Sequence, residues 1–213
     1  MADITFYTNP MSRGQIARWA LEEAGADYEQ VLLDYATTMK GDNYLAINPM
    51  GKVPSIVHHS GSGDKVVTEA AAICAYLAEL YPDMELAPAE AERADYYRWM
   101  FFAAGPVEAA VTAKATGLMP SADQSKSIGY GSYDDVMNAI DGLLGDGRAY
   151  VCGDRFTMAD VYFGSQVDWG LNFGTFEKRP SFESYAARLR ERPAYQKAKA
   201  IDGALIAEMQ KEG

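Results

Sequence analysis

Strand-like segments crowd into the first third of this chain and then stop, and that asymmetry restricts the fold more than any other feature. "ITFY" at residues 4–7, "YEQVLLD" at 28–34 and the two β-rich runs of "VPSIVHHSGSGDKVVTE" at 53–69 all precede Pro82. Past that proline no segment carries a convincing strand pattern. Between the first two strands, "RGQIARWALEEAG" places Ile16, Ala17, Ala20, Leu21 and Ala24 at helical spacing, with Gly25 as a stop. A strand, a helix and a strand in that order imply parallel pairing through a right-handed crossover. The next two strands flank "SGSGD", a glycine-rich turn, and so form an antiparallel hairpin. "EAAAICAYLAELYP" closes the series as a helix ended by Pro82.

The order β-α-β, then β-β-α, matches the β-α-β-α-β-β-α pattern of an α/β thioredoxin-like domain over residues 1–81. "PDMELAPAEAERA" is polar and proline-bearing, and reads as a linker over 82–90. The remainder, 91–213, is expected to be an all-α helical bundle. "ERADYYRWMFFAAGPVEAAVTAKATGL" reads as one long helix kinked at Gly105-Pro106. Ser132 with Asp135, and Thr157 with Asp160, stand at capping-box spacing, and Phe156 is placed to staple the second of these helices. Ser181 is expected to cap a later helix, and Pro193 to start the last one.

Bulk composition removes several classes of function. Apolar residues make up 48% and charged residues 23%, the balance of a globular chain that buries its own core. A formal charge of -11 argues against a nucleic-acid partner, whose phosphates demand a basic face. No apolar run is long enough to span a membrane, and "MADITFYTNP" lacks the basic-then-apolar order of a secretory signal. The two cysteines, Cys74 and Cys152, form neither a CxxC pair nor a metal spacing, which favours a reducing, cytoplasmic setting. His58 and His59 are adjacent on a strand and point to opposite faces, so no shared metal is expected. Gly-x-Gly in "GYGSYDD" follows no strand and makes a poor phosphate cradle.

Four stretches, taken together, carry a likeness over nearly the whole chain: "FYTNPMSRGQIARWALEEAG", "NPMGKVPSIV", "TEAAAICAYL" and "GDRFTMADV". In order and spacing they resemble the cytosolic glutathione transferase family, its bacterial members most closely. The valine-proline pair followed about fifteen residues later by an acidic residue opening a helix is a fairly specific part of that pattern.

The resemblance implies a set of roles. Pro54 would be cis, leaving the Val53 N–H and C=O to pair with the cysteinyl backbone of glutathione like one added strand residue. Glu69 would hold the α-amino group of the γ-glutamyl moiety, while the Ala70 N–H, at a helix N-terminus, takes its carboxylate. Many relatives have serine or threonine at the position of Ala70, so one hydroxyl contact is missing here. Lys40 and Lys52 are candidates for the glycyl carboxylate. A free thiol titrates near pH ~8.5, and lowering that by about two units takes roughly 2.7 kcal/mol of preference for the thiolate. One charge-assisted hydrogen bond near a helix N-terminus supplies that amount. Ser12, as in serine-type transferases, and Tyr7, as in tyrosine-type ones, are both open as the donor; Asn9 offers an amide hydrogen and Arg13 electrostatic support. No cysteine occurs in "YTNPMSRG", which points away from the cysteine-type branch. Tyr97, Phe101, Tyr130 and Trp169 are candidates for an apolar wall around a hydrophobic electrophile. The expected activity is conjugation of glutathione, a co-substrate, to such electrophiles, with peroxide reduction as a side activity and no metal. The alternative is a ligand-carrying relative with little turnover. A homodimer is also implied.

Overall fold

The computed structural model describes residues 2–212 and divides the chain into two compact units. One takes the chain up to Leu86 and again from Glu191 onward; the other is Ala87–Arg190.

The first unit is built on a four-stranded sheet. Its strands are β1 (Ile4–Thr8), β2 (Tyr28–Leu32), β3 (Ser55–Ser60) and β4 (Gly63–Thr68), in spatial order β2-β1-β3-β4. β1 and β2 are parallel, while β3 is antiparallel to both β1 and β4. Alternation along β1 sends Ile4 and Phe6 into a fully buried layer and turns Thr5 and Tyr7 to the other face. α1 (Gly14–Ala24) and α3 (Ala70–Leu80) cover the sheet, and the short α2 (Asp42–Leu45) lies in the connection from β2 to β3. α1 buries the five apolar residues that its period selects. It ends at Gly25, whose φ of 60° only glycine adopts without strain. The Ala26 and Gly25 amides bond back to the Leu21 and Glu22 carbonyls, a Schellman closure. The two histidines diverge as expected: His58 Nδ1 meets the Tyr76 hydroxyl of α3 at 2.8 Å, and His59 meets Thr5 and Asp64, each at 2.9 Å.

The last helix, α10 (Pro193–Glu212), starts at the expected proline but packs on α1, within the first unit. Arg18 carries much of this contact. It is 1% exposed, donates to Asp202 at 2.8 Å, and is satisfied further by Gln30 and Tyr28 and by the face of Phe6. Arg192 pairs with Glu23 through two hydrogen bonds at 2.6 and 2.7 Å. Two short 3₁₀ turns, Pro82–Met84 and Glu90–Glu92, follow α3, with Leu86 buried between them.

The second unit is helical. α4 (Arg93–Phe102) and α5 (Glu108–Thr116) are joined by a π-helical turn, Ala103–Val107, containing Pro106. The expected kink is thus a widened turn, the usual response to a proline that removes an amide donor. α6 (Ala122–Ser125), α7 (Tyr133–Leu144), α8 (Met158–Phe173) and α9 (Pro180–Arg190) follow. Ser132 caps α7, its Oγ accepting from the Asp135 amide at 3.1 Å. Asp160 is fully buried at the start of α8 and accepts from Thr157 and Val151 amides and the Tyr185 hydroxyl. One expectation fails: α9 begins a residue before Ser181, and the Ser181 hydroxyl donates to Asp141 of α7 instead of capping its own helix. Pro180 at the first position explains the shift, since its fixed φ and missing N–H suit a helix start.

Candidate binding and catalytic site

The approach to β3 is held by two side chains that the sequence did not single out. The Tyr44 hydroxyl donates to the Lys52 carbonyl at 2.5 Å and shares a 2.8 Å hydrogen bond with Ser55 Oγ. Asn48 Nδ2 donates to the same carbonyl at 2.8 Å. Lys40 is drawn into this frame, its Nζ lying 2.9 and 2.8 Å from the carbonyls of Met50 and Gly51. Lys52 extends an exposed side chain. The Val53–Pro54 bond is cis. Val53 packs, half-buried, on the cluster of Leu33, Met39 and Tyr44. Among the described residues its own N–H and C=O meet no hydrogen-bond partner, although the three carbonyls before it, of Met50, Gly51 and Lys52, are all engaged. One residue with a free donor and acceptor is what an extended peptide needs in order to add on.

Glu69 lies at the end of β4 and caps α3 from a rare conformation, φ 65° and ψ 119°. Only Glu85 shares a positive φ among the described non-glycine residues. Such a geometry costs about 1–3 kcal/mol and persists where surrounding structure imposes it. The Glu69 side chain is exposed and makes no capping bond, so the first amides of α3, from Ala70 onward, keep their N–H groups unfilled by it. Carboxylate and helix N-terminus thus stand side by side, able to take an ammonium and a carboxylate respectively.

The hydroxyl candidates differ in what they already do. Ser12 Oγ donates to the Asn9 carbonyl at 2.6 Å and accepts from the Gly14 amide at 2.9 Å, shaping the turn into α1. Asn9 is buried, with its amide on the Leu33 carbonyl at 2.8 Å and its Oδ1 taking the Met11 amide at 2.9 Å. Arg13 is exposed at the N-cap of α1. Tyr7 packs on the same cluster as Val53, with its ring 5.4 Å from that of Tyr44, and its hydroxyl meets no hydrogen-bond partner among the described residues. Burial first, then the nearby Glu29 and Asp64 carboxylates, push its pKa above the usual phenol value, so the group keeps its proton.

The aromatic candidates all fall in the second unit. Tyr97 and Phe101, one helical turn apart on α4, are 47% and 70% exposed. Tyr130 is half-buried between α6 and α7; Trp169, half-buried on α8, stacks edge-on with the exposed Phe173. Cys74 is fully buried in α3, and burial pushes Cys152 up to about 12, so neither is a thiolate at neutral pH. No group of three or more His, Cys, Asp or Glu side chains among the described residues is arranged to hold a metal ion. No helix among them is long and apolar enough to cross a membrane.

The mixed four-stranded sheet with its covering helices is a thioredoxin-like domain, followed by a helical one, and comparison with known proteins adds what the chain is similar to. Residues 2–79 match the glutathione S-transferase N-terminal domain model. Glutathione S-transferase GstA of Escherichia coli O157:H7 is 29% identical over 191 residues, 86% of this chain and 90% of that one. A glutathione transferase structure from Methylococcus capsulatus superposes with a TM-score of 0.74 at 28% identity, covering 94% of this chain and 99% of its own. A theta-class enzyme from Xanthomonas axonopodis pv. citri, solved with glutathione bound, gives 0.72 at 27% identity over 93% and 97% of the two chains. Residues 2–79 are thus similar to the N-terminal domain of glutathione S-transferases, and the chain over most of its length is similar to proteins that carry that name.

Proposed function

We propose that this protein is a glutathione transferase that docks glutathione on its first unit, holds the sulfur as thiolate and delivers it to hydrophobic electrophiles. The observation that carries the reading is Val53, whose amide and carbonyl have no hydrogen-bond partner among the described residues while Tyr44 and Asn48 hold the carbonyl just before it. The cysteinyl backbone pairs there, the γ-glutamyl ammonium meets Glu69, and its carboxylate meets the amides at the start of α3. Lys52, exposed beside Val53, is the better placed cation for the glycyl carboxylate, since Lys40 already serves two carbonyls.

Two observations support Tyr7 as the thiolate's donor over Ser12. The Tyr7 hydroxyl has no hydrogen-bond partner among the described residues, and the ring shares its packing cluster with Val53. The Ser12 proton is given to Asn9 and has to be released first. Ser12 and the amide end of α1 then add their field to the sulfur. Tyr97, Phe101, Tyr130 and Trp169 furnish apolar surface for the electrophile, and the enzyme works as a cytoplasmic homodimer. A second reading, a glutathione-binding carrier with little turnover, draws on Ala70, which lacks the hydroxyl of many relatives. Calorimetry with glutathione and turnover of a chloronitrobenzene separate them. Binding with turnover supports the enzyme, binding without it supports the carrier, and no binding refutes both.

A further inference from the structure

The loop from β1 into α1 is tied from outside by the last helix. Gln15, in the first turn of α1, donates from Nε2 to the Pro10 carbonyl at 2.6 Å. Its Oε1 accepts from Lys199 Nζ of α10 at 2.8 Å. The ammonium has only donors and the carbonyl only accepts, so the amide has one possible orientation. The next carbonyl of the loop, that of Met11, is met by the Tyr35 hydroxyl at 3.3 Å. The contact belongs to a built interface: Lys199 lies over the ring of Tyr195, which packs edge-on against Trp19. Three residues further along each helix stands the buried Arg18–Asp202 pair.

We propose that Lys199 and Gln15 are positioning residues for the thiol site, holding the Pro10 carbonyl toward α10 so that the 9–14 loop offers the sulfur hydroxyl and amide groups, not carbonyl oxygen. This rests on the glutathione reading above. A carbonyl dipole facing a thiolate opposes ionisation, and hydrogen bonds in series strengthen one another, so the Lys199 charge reaches the loop through Gln15. The C-terminal helix thereby takes part in thiol activation without touching the substrate.

The test uses the full chain loaded with glutathione, reading thiolate absorbance at neutral pH together with kcat and KM for a chloronitrobenzene. Lys199→Met is expected to lower the thiolate fraction about threefold, from roughly three quarters to about one quarter, equivalent to about one pKa unit. kcat should fall in step while KM for glutathione stays within about twofold. Lys199→Arg, which keeps charge and donor, restores both. Lys197→Met is the control: it removes an ion pair with Glu22 at 2.7 Å on the same helix and should leave thiolate and kcat as in the wild type. If Lys199→Met does not fold, Gln15→Met breaks the relay from the α1 side and carries the same expectation. Equal behaviour of the Lys199 and Lys197 variants, or an unchanged thiolate fraction in the Lys199 variant, overturns the inference alone. Absence of any thiolate signal in the wild type overturns the glutathione reading, and this inference with it.

Discussion

Glu69 allows backbone strain and ligand charge to be separated by two substitutions at one position. At φ 65° and ψ 119° the residue stores about 1–3 kcal/mol that glycine would not. Glycine also loosens the unfolded chain, by roughly 0.5–1 kcal/mol. The side chain is exposed and makes no capping bond, so deleting it removes little from the folded state. Glu69→Gly should therefore raise stability in urea by about 0.5–2 kcal/mol, measured without glutathione so that binding does not contribute. If glutathione docks as proposed, the same change also removes a charge-assisted hydrogen bond to the γ-glutamyl ammonium, about 1.5–3 kcal/mol, and should weaken glutathione binding roughly ten- to hundredfold. Glu69→Gln keeps the strained backbone and loses only the charge. Its stability should match the wild type within about 0.5 kcal/mol, while its affinity falls much as in the glycine variant. Calorimetric titration and urea denaturation of the three proteins read both quantities. A less stable glycine variant refutes the strain argument; wild-type affinity in both variants refutes the assignment of Glu69 to the ligand.

Ala70→Ser should tighten glutathione binding by about 0.5–1.5 kcal/mol, because it restores a hydroxyl at the start of α3; isothermal titration gives the answer directly. Asn48→Ala, which strips one donor from the Lys52 carbonyl, should cost about 1–3 kcal/mol of stability and also weaken glutathione binding, as the Val53 segment loses its frame. Asp160→Ala removes the buried acceptor of the α8 start and should cost roughly 3–5 kcal/mol in a urea melt, with activity per folded molecule retained. Burial raises the Asp160 carboxyl from 3.8 to about 6 in the folded protein, so its folded state binds the proton more tightly. Its contribution is then fully present below pH ~4 and declines as pH rises through about 6, and the stability gap between wild type and Asp160→Ala should narrow from pH 4 to pH 7.

How much of this was legible in the sequence varied with how local the controlling physics is. The order of elements along the chain, the hairpin turn, the Gly25 stop and the caps at Ser132 and Thr157 depend on neighbouring residues, and the structure carries all of them. The attachment of α10 to the first unit was not legible. It depends on Arg18 meeting Asp202 and Glu23 meeting Arg192, pairs separated by more than half the chain, and no periodicity encodes such a contact. A buried arginine inside the apolar stripe of α1 was the available signal, since a charge there demands a partner. Ser181 was misread because two start signals, Pro180 and Ser181, are adjacent, and the serine was claimed by a distant carboxylate. Within the candidate site, Val53, Pro54 and Glu69 are singled out by motif spacing. Tyr44 and Asn48 were missed because a tyrosine and an asparagine in a polar loop look like solvent-facing residues until their shared acceptor is seen.

Ultraviolet titration of glutathione's thiol on the protein, repeated with Tyr7→Phe and Ser12→Ala, tests the central claim most directly. In the wild type the bound thiol should ionise about two units below its free value of ~8.5, with Tyr7→Phe giving back most of that shift and Ser12→Ala a smaller part. A bound thiol that titrates like the free peptide in the wild type would contradict the account.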